Sequence, residues 1–301
     1  MLLSICIPTY NNDIGVLLEA LALQAEGHED VEIVCIDDHS DHSYYEINSN
    51  VADKIEKKWL CKIKYIYLPE NVGRSRIRNL FLQYVDAEYM QFLDCDATIE
   101  NHNFVANCLS AIQEKPDVVC GGWRYEVPCD RAHKLRLKYA EQRECRDIAT
   151  RSSEPYRSFQ TGNFMIRRSL LSEIRFDESI VGYGHEDTLF GFRLRQRNAH
   201  IAHIDNPAVS RSIDDNAAFI AKSEQAVENL KKIYFEILKS DKDFANEVAL
   251  IRCYEKLRSK RLLWLVRASF FVLRRLSKFI LCQGFASVNL FSYYKLGLMC
   301  R

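Results

Sequence analysis

The 11 cysteines of this 301-residue chain form no CxxC pair and no regular spacing. That excludes a zinc ribbon and a disulfide-stapled scaffold. Cys6, Cys35 and Cys120 sit inside apolar runs, where a reduced thiol behaves as a small hydrophobe. The formal net charge is zero, so no field over the whole molecule draws it to nucleic acid. No internal repeat, low-complexity tract or flexible linker interrupts the chain. No basic segment precedes the apolar run Met1-Leu2-Leu3-Ser4-Ile5-Cys6-Ile7, so a secretory leader is not expected and a reducing cytoplasm is the expected setting.

What is present is a globular composition, 48% hydrophobic and 27% charged. Strand-like runs at Leu2 to Ile7, Val31 to Ile36, Ile63 to Leu68 and Tyr89 to Leu93 alternate with helical spacing at Ile14 to Ala25 and Gly73 to Tyr84. That rhythm predicts βαβ units and a mostly parallel sheet flanked by helices. Further on, the pattern predicts a strand at Val118 to Cys120 and a helix over His133 to Thr150. It also predicts a strand at Phe159 to Arg167, a helix opening at Gly182 to Asp187, and another over Ala217 to Lys239.

Polar clusters follow the strands, where ligands of open α/β sheets bind. Asp94-Cys95-Asp96 follows the fourth: two carboxylates one residue apart repel each other unless a cation joins them, and hard cations take carboxylate and diphosphate oxygens. Asp37-Asp38-x-Ser40 offers acceptors for a base or ribose, or an ordinary Asx turn. Asn71-Val72-Gly73-Arg74-x-Arg76-x-Arg78-Asn79 brings arginines to a helix entry, suited to phosphate. Gly184-His185-Glu186-Asp187 places two acids at a helix start, as capping groups or as a general base.

The order and spacing of these clusters resemble the inverting family 2 glycosyltransferases of GT-A fold. The matching residues are Ile7-Pro8-Thr9-Tyr10-Asn11, Asp37-Asp38-x-Ser40, Asn71-x-Gly73 with Arg78-Asn79, and Asp94-x-Asp96. They continue through Thr161-Gly162-Asn163, Phe176-Asp177-Glu178, and Gly184-x-Glu186-Asp187 with Arg193-Leu194. The resemblance covers roughly residues 1–210. It implies a nucleotide-diphosphate sugar donor and a saccharide or lipid-linked acceptor. Pro8, Tyr10, Asp37 and Asp38 would frame the base and ribose, Asn71 would lie in the donor site, and Arg78 would help hold the nucleotide. Asp94 would lie near the ribose and sugar, and Asp96 would bind Mn²⁺ or Mg²⁺ at the diphosphate. Asp187 would be the catalytic base, with Glu186 orienting the acceptor or base. The resemblance also leads one to expect a histidine where Ser210 stands; His203 or His200 is the candidate substitute, His203 being the one taken as a metal ligand. A sugar nucleotidyltransferase would prefer a Gly-rich basic loop where Pro8-Thr9-Tyr10-Asn11-Asn12 stands. A non-catalytic nucleotide-sugar-binding or membrane-adaptor protein would not need Asp96 and Asp187 intact.

The expected division is a catalytic domain over 1–215 and a helical region over 216–301. From Arg252 to Arg301 there are eleven Lys and Arg against one acid, Glu255. Apolar positions 262, 265, 266, 272, 273, 276 and 280 fall on one helical face, with Lys260, Arg267, Arg274 and Lys278 on another. Arg267 and Arg274-Arg275 interrupt any window long enough to span a bilayer. A basic amphipathic helix is therefore expected, lying against an anionic membrane surface at the inner face of the cell membrane or packed on the catalytic domain with its basic face in water.

Overall fold

Leu3, Ile5 and Ile7 pack on one side of a sheet while Cys6 packs on the other, and the alternation repeats with Ile33 and Cys35 against Val34 and Ile36. These strands are buried on both faces, which is why they read as unbroken apolar runs. The computed structural model describes residues 1–127, 130–285 and 287–301. The first elements are β1 (Leu3–Thr9), α1 (Gly15–Ala25), β2 (Val31–Asp37), α2 (His42–Trp59), β3 (Lys62–Tyr67), α3 (Arg74–Tyr84) and β4 (Tyr89–Leu93). Next come β5 (Ala97–Thr98), α4 (Phe104–Gln113), β6 (Val118–Cys120), β7 (Trp123–Tyr125), α5 (Lys134–Arg143) and α6 (Ile148–Ser153). β8 (Asn163–Arg167), α7 (Arg168–Ile174), α8 (Glu186–Gln196), β9 (Ile201–His203) and β10 (Ala208–Ser210) follow.

The main sheet has the order β3-β2-β1-β4-β8-β6-β9. β1 pairs in parallel with β2 and β4, and β6 with β9, whereas β8 runs antiparallel to both β4 and β6. A small sheet of order β5-β10-β7 lies beside it. β1 runs two residues past the expected end at Ile7. Pro8 lies beyond the β4 register, which stops at Cys6↔Phe92, so its missing N–H breaks no bond to β4.

Three expected boundaries differ, and one helix was not expected. The helix predicted over 133–150 breaks after Arg143. Both Glu144 carboxylate oxygens are taken by Arg136, at 3.1 and 2.9 Å, and Asp147 starts α6 by accepting from the Thr150 N–H at 2.8 Å. The strand predicted from Phe159 begins only at Asn163, because Thr161 and Gly162 turn into the cleft described below. The helix predicted over 217–239 is α9 (Asn216–Lys231) followed by a π-helical turn at Lys232–Ile237. α2 had no counterpart in the pattern, since its buried face is only Asn48, Ala52 and Ile55.

The chain continues with α10 (Lys242–Glu247), α11 (Ala249–Ser259), α12 (Leu263–Cys282) and α13 (Val288–Cys300). These helices and α9 bury a hydrophobic cluster containing Phe219, Phe244, Ile251, Phe270, Phe291 and Tyr294. Leu135, Leu189 and Phe192 belong to the same cluster, so residues on both sides of position 215 share one core. Among the described residues, no helix is long and apolar enough to cross a membrane.

Candidate active site

At the carboxyl ends of β1, β2 and β4 lies an open cleft of about 1310 Å³. Pro8, Tyr10, Asp38, Asn71, Arg78, Asp94, Asp96, Glu186 and Asp187 all line it, brought together from positions up to 179 residues apart. Arg74, Trp123, Tyr183 and Lys222 line it as well.

The donor-side wall is built by backbone capture. Asp38 accepts from the N–H groups of Val72 and Gly73, at 2.6 and 3.0 Å, and its own carbonyl oxygen accepts from the Asn71 amide at 3.0 Å. The loop before α3 is thus tied to the end of β2. Asp37 has a different position from the one the sequence suggested. It is fully buried and outside the cleft lining, with one carboxylate oxygen accepting from the Ser40 N–H at 2.7 Å and the other from the Tyr65 hydroxyl. The Asx-turn alternative describes it, and Asp38 is the member of the pair that reaches the cleft.

Arg78 is almost wholly buried and donates to Asp94 Oδ1 at 2.9 Å and to the Arg74 carbonyl at 3.1 Å. Its contact is with the first acid of the Asp-x-Asp pair. Asp94 is further fixed by its N–H, which donates to the Gly162 carbonyl at 3.0 Å. A Cβ on Gly162 would lie 3.0 Å from the Trp123 ring and 3.3 Å from Asp94 Oδ2, so glycine permits this close approach. Desolvation in the cleft and the charge of Asp94 push the Asp96 carboxyl up to about 6. The charges of Arg74 and Lys222 only partly offset this, which leaves the electrostatic condition a cation would satisfy. Among the described residues, no three of His, Cys, Asp and Glu gather as a metal cage. Asp94 and Asp96 therefore fit a cation that draws its other oxygens from a ligand or water, as Mg²⁺ and Mn²⁺ do.

His203 stands apart from this pair. It is outside the cleft lining; Arg151 donates toward its Nδ1 at 3.3 Å, and its Nε2 lies 3.1 Å from the Pro155 carbonyl oxygen. Burial pushes its pKa down to about 4, so the ring is neutral with both nitrogens engaged. The structure does not bring His203 to the acids, and it serves the β9 end as a packing residue.

On the opposite wall, the loop before α8 turns through Gly184 at φ +102°, where a Cβ would come within 2.5 Å of the Ala226 Cβ on α9. Glu186 accepts from the Gly184 N–H at 3.1 Å and lies 3.8 Å from the Arg74 guanidinium. Asp187 Oδ1 accepts from the Thr188 N–H at 2.6 Å. Burial raises both carboxyls above their ordinary range, and the charge of Asp187 raises Glu186 further. Asp187 Oδ2 has no hydrogen-bond partner among the described residues, so that oxygen is available to an incoming group.

Sequence reasoning did not single out Lys222 or Lys295 as site residues, although both line the cleft. Lys222 and Lys295 lie on α9 and α13, beyond the matched motifs. Arg74 carried a signal: it directly follows Gly73 and stands four residues before Arg78, on the same helical face.

The family described as Glycosyl transferase family 2 has a sequence model that matches residues 4–175. An uncharacterized glycosyltransferase of Haemophilus influenzae is 31% identical over 33% of this chain and 38% of its own length. Chondroitin synthase of Pasteurella multocida is 23% identical over 84% of this chain and 30% of its own. The chain thus spans less than two-fifths of the length of these curated relatives. The fold is shared with the mannosyltransferase PcManGT from Pyrobaculum calidifontis, solved with GDP-Man and Mn²⁺. That likeness has a TM-score of 0.63 at 13% identity, covering 99% of this chain and 85% of the other.

Proposed function

Because the chain belongs to glycosyl transferase family 2 and has its GT-A fold, we propose that the cleft binds a nucleoside-diphosphate sugar and transfers the sugar, with inversion, to a hydroxyl of a saccharide or lipid-linked acceptor. The observation that carries this is the shared cleft: Asp94 and Asp96 line the same cavity as Glu186 and Asp187. Pro8, Tyr10, Asp38 and Asn71 form the wall for the nucleoside. Mn²⁺ or Mg²⁺ entering with the diphosphate would be held by Asp96 beside Asp94, and would neutralise charge on the leaving group. Arg78 holds Asp94 in place, and Arg74 adds positive charge near the same acids.

Asp187 Oδ2 takes the proton of the acceptor hydroxyl while that oxygen bonds to the anomeric carbon. The bond from that carbon to the diphosphate breaks in the same displacement, the electron pair leaves with the diphosphate, and the proton stays on Asp187. Glu186, tied to the Gly184 N–H and facing Arg74, keeps the loop and the base in position. The binding of GDP-Man and Mn²⁺ by the Pyrobaculum enzyme supports a donor of this class.

The test is a thermal-shift screen of UDP- and GDP-sugars with Mn²⁺, followed by Asp187→Asn. The variant should keep the donor-induced shift and lose transfer by about 10²–10⁴-fold, the usual worth of a general base. Transfer at the wild-type rate in Asp187→Asn would remove the assigned base. Absence of a shift with every donor would remove the proposal as a whole.

A further inference from the structure

The basic, amphipathic segment of the C-terminus is turned the other way round from the expected arrangement. The buried residues of α12 are Phe270, Ser277 and Leu281. Its basic residues largely lean toward that side. Arg267 donates to the Cys300 carbonyl at 2.6 Å, Lys278 to both Glu224 oxygens at 3.0 and 3.1 Å, and Arg274 lies 3.9 Å from Glu224. The opposite face carries large apolar side chains in water: Phe271 is 89% exposed, Val272 74%, Trp264 63% and Phe279 62%. Leu265 and Leu276 are exposed on the same side, and Phe285 just after the helix.

At 3.6 residues per turn, positions 264, 265, 268, 272, 275, 276 and 279 form one continuous stripe, with Phe271 at its margin. Arg275 is the charged residue within it. A stripe of this kind along 20 residues, about 30 Å of helix, is larger than scattered surface hydrophobes require.

We propose that this outer face of α12 is an interfacial docking surface for an anionic lipid bilayer, with the helix lying in the membrane plane. Charge selects this occupant. No Asp or Glu follows Glu255, and residues 252–301 carry a net ten positive charges. Lys260, Arg261 and Arg275 have no acidic partner among the described residues. A second copy of the chain would set like charges against each other, whereas acidic headgroups are complementary. Exposed Trp and Phe beside basic residues are the side chains that settle at the headgroup level. The inference stands on α12 alone and not on the chemistry assigned to the cleft.

The test uses the full chain and vesicles of phosphatidylcholine with or without 30% phosphatidylglycerol. The wild type should sediment with the anionic vesicles, and added NaCl should weaken that binding. Phe271→Glu with Phe279→Glu should lower it by at least about tenfold, while the circular dichroism spectrum, melting temperature and donor turnover in solution stay unchanged. Trp264→Phe should remove the vesicle-induced blue shift of the emission. Wild-type protein that ignores anionic vesicles, or a double variant that binds as well as wild type, would overturn the proposal. So would a wild-type dimer in sedimentation velocity that the same substitutions dissociate without any vesicle binding.

Discussion

At Asp96 the fold works against its own ionisation. Desolvation and the Asp94 charge set its carboxyl at about 6, whereas in the unfolded chain it ionises near the ordinary value of about 3.9. Between those values the unfolded chain loses the proton first, so folding grows less favourable as pH rises, and above 6 the whole penalty applies. A cation at the site cancels that penalty. Mn²⁺ is therefore expected to raise the melting temperature by about 2 °C or more at pH 7.5 and to leave it nearly unchanged at pH 4. Asp96→Asn should flatten the response. Equal indifference to Mn²⁺ at both pH values in the wild type would count against a cation at this residue. Arg78→Met is expected to cost about 2 kcal/mol, because it removes a charge-assisted bond and frees Asp94. It should also weaken donor binding, and an unchanged denaturation midpoint would show that Asp94 needs no anchor.

At the scale of elements, two contacts carry the C-terminal helices. Gly184 lets the loop before α8 lie on Ala226 of α9. Gly184→Ala combines a positive φ with overlap, so a loss of roughly 1–3 kcal/mol is expected in urea denaturation, with transfer falling alongside. Glu224 of α9 joins α12 and α13, accepting from Lys278 and from the Tyr294 hydroxyl. Burial alone would raise its pKa, but Tyr294 and Lys278 outweigh it and hold the carboxyl below its usual range. Its stabilisation is therefore present above the unfolded pKa and lost as pH falls through the folded one. Glu224→Gln should lower the melting temperature at pH 7, with a gap to wild type that closes toward pH 3. A gap independent of pH would mean that shape and not charge is what matters there.

What the sequence revealed at this scale follows the same physics. β1, β2 and β4 were legible because burial on both faces leaves an apolar run, and their acids were legible because they stand where such runs stop. α2 was not, since three modest residues make its buried face. The contrast between Asp37 and Asp38 was not legible either: it depends on Tyr65, which lies 28 residues further on. The α12 periodicity was visible, but periodicity does not say which side the remaining helices cover. Glu224, distant in sequence, draws Lys278 and Arg274 inward and leaves the phenylalanines outside.

For the whole molecule, the charge asymmetry and the shared core pull in different directions. Residues 252–301 carry ten net positive charges and the remainder ten negative, yet Phe291 of α13 packs on Phe219 in the cluster that also holds Leu189 and Phe192. Deleting residues 252–301 is expected to yield aggregated protein, because the uncovered cluster meets water. A soluble truncated chain with a cooperative thermal transition would show that the remaining helices close that surface themselves.

The direction of β8 also has a consequence in time. Its N-terminal turn supplies the Gly162 carbonyl that the Asp94 N–H meets, so the acidic pair is braced by a segment made 68 residues later. Contacts of such separation form slowly, after local helices have consolidated. During refolding, the far-ultraviolet helical signal should accordingly return ahead of the Mn²⁺-dependent gain in stability.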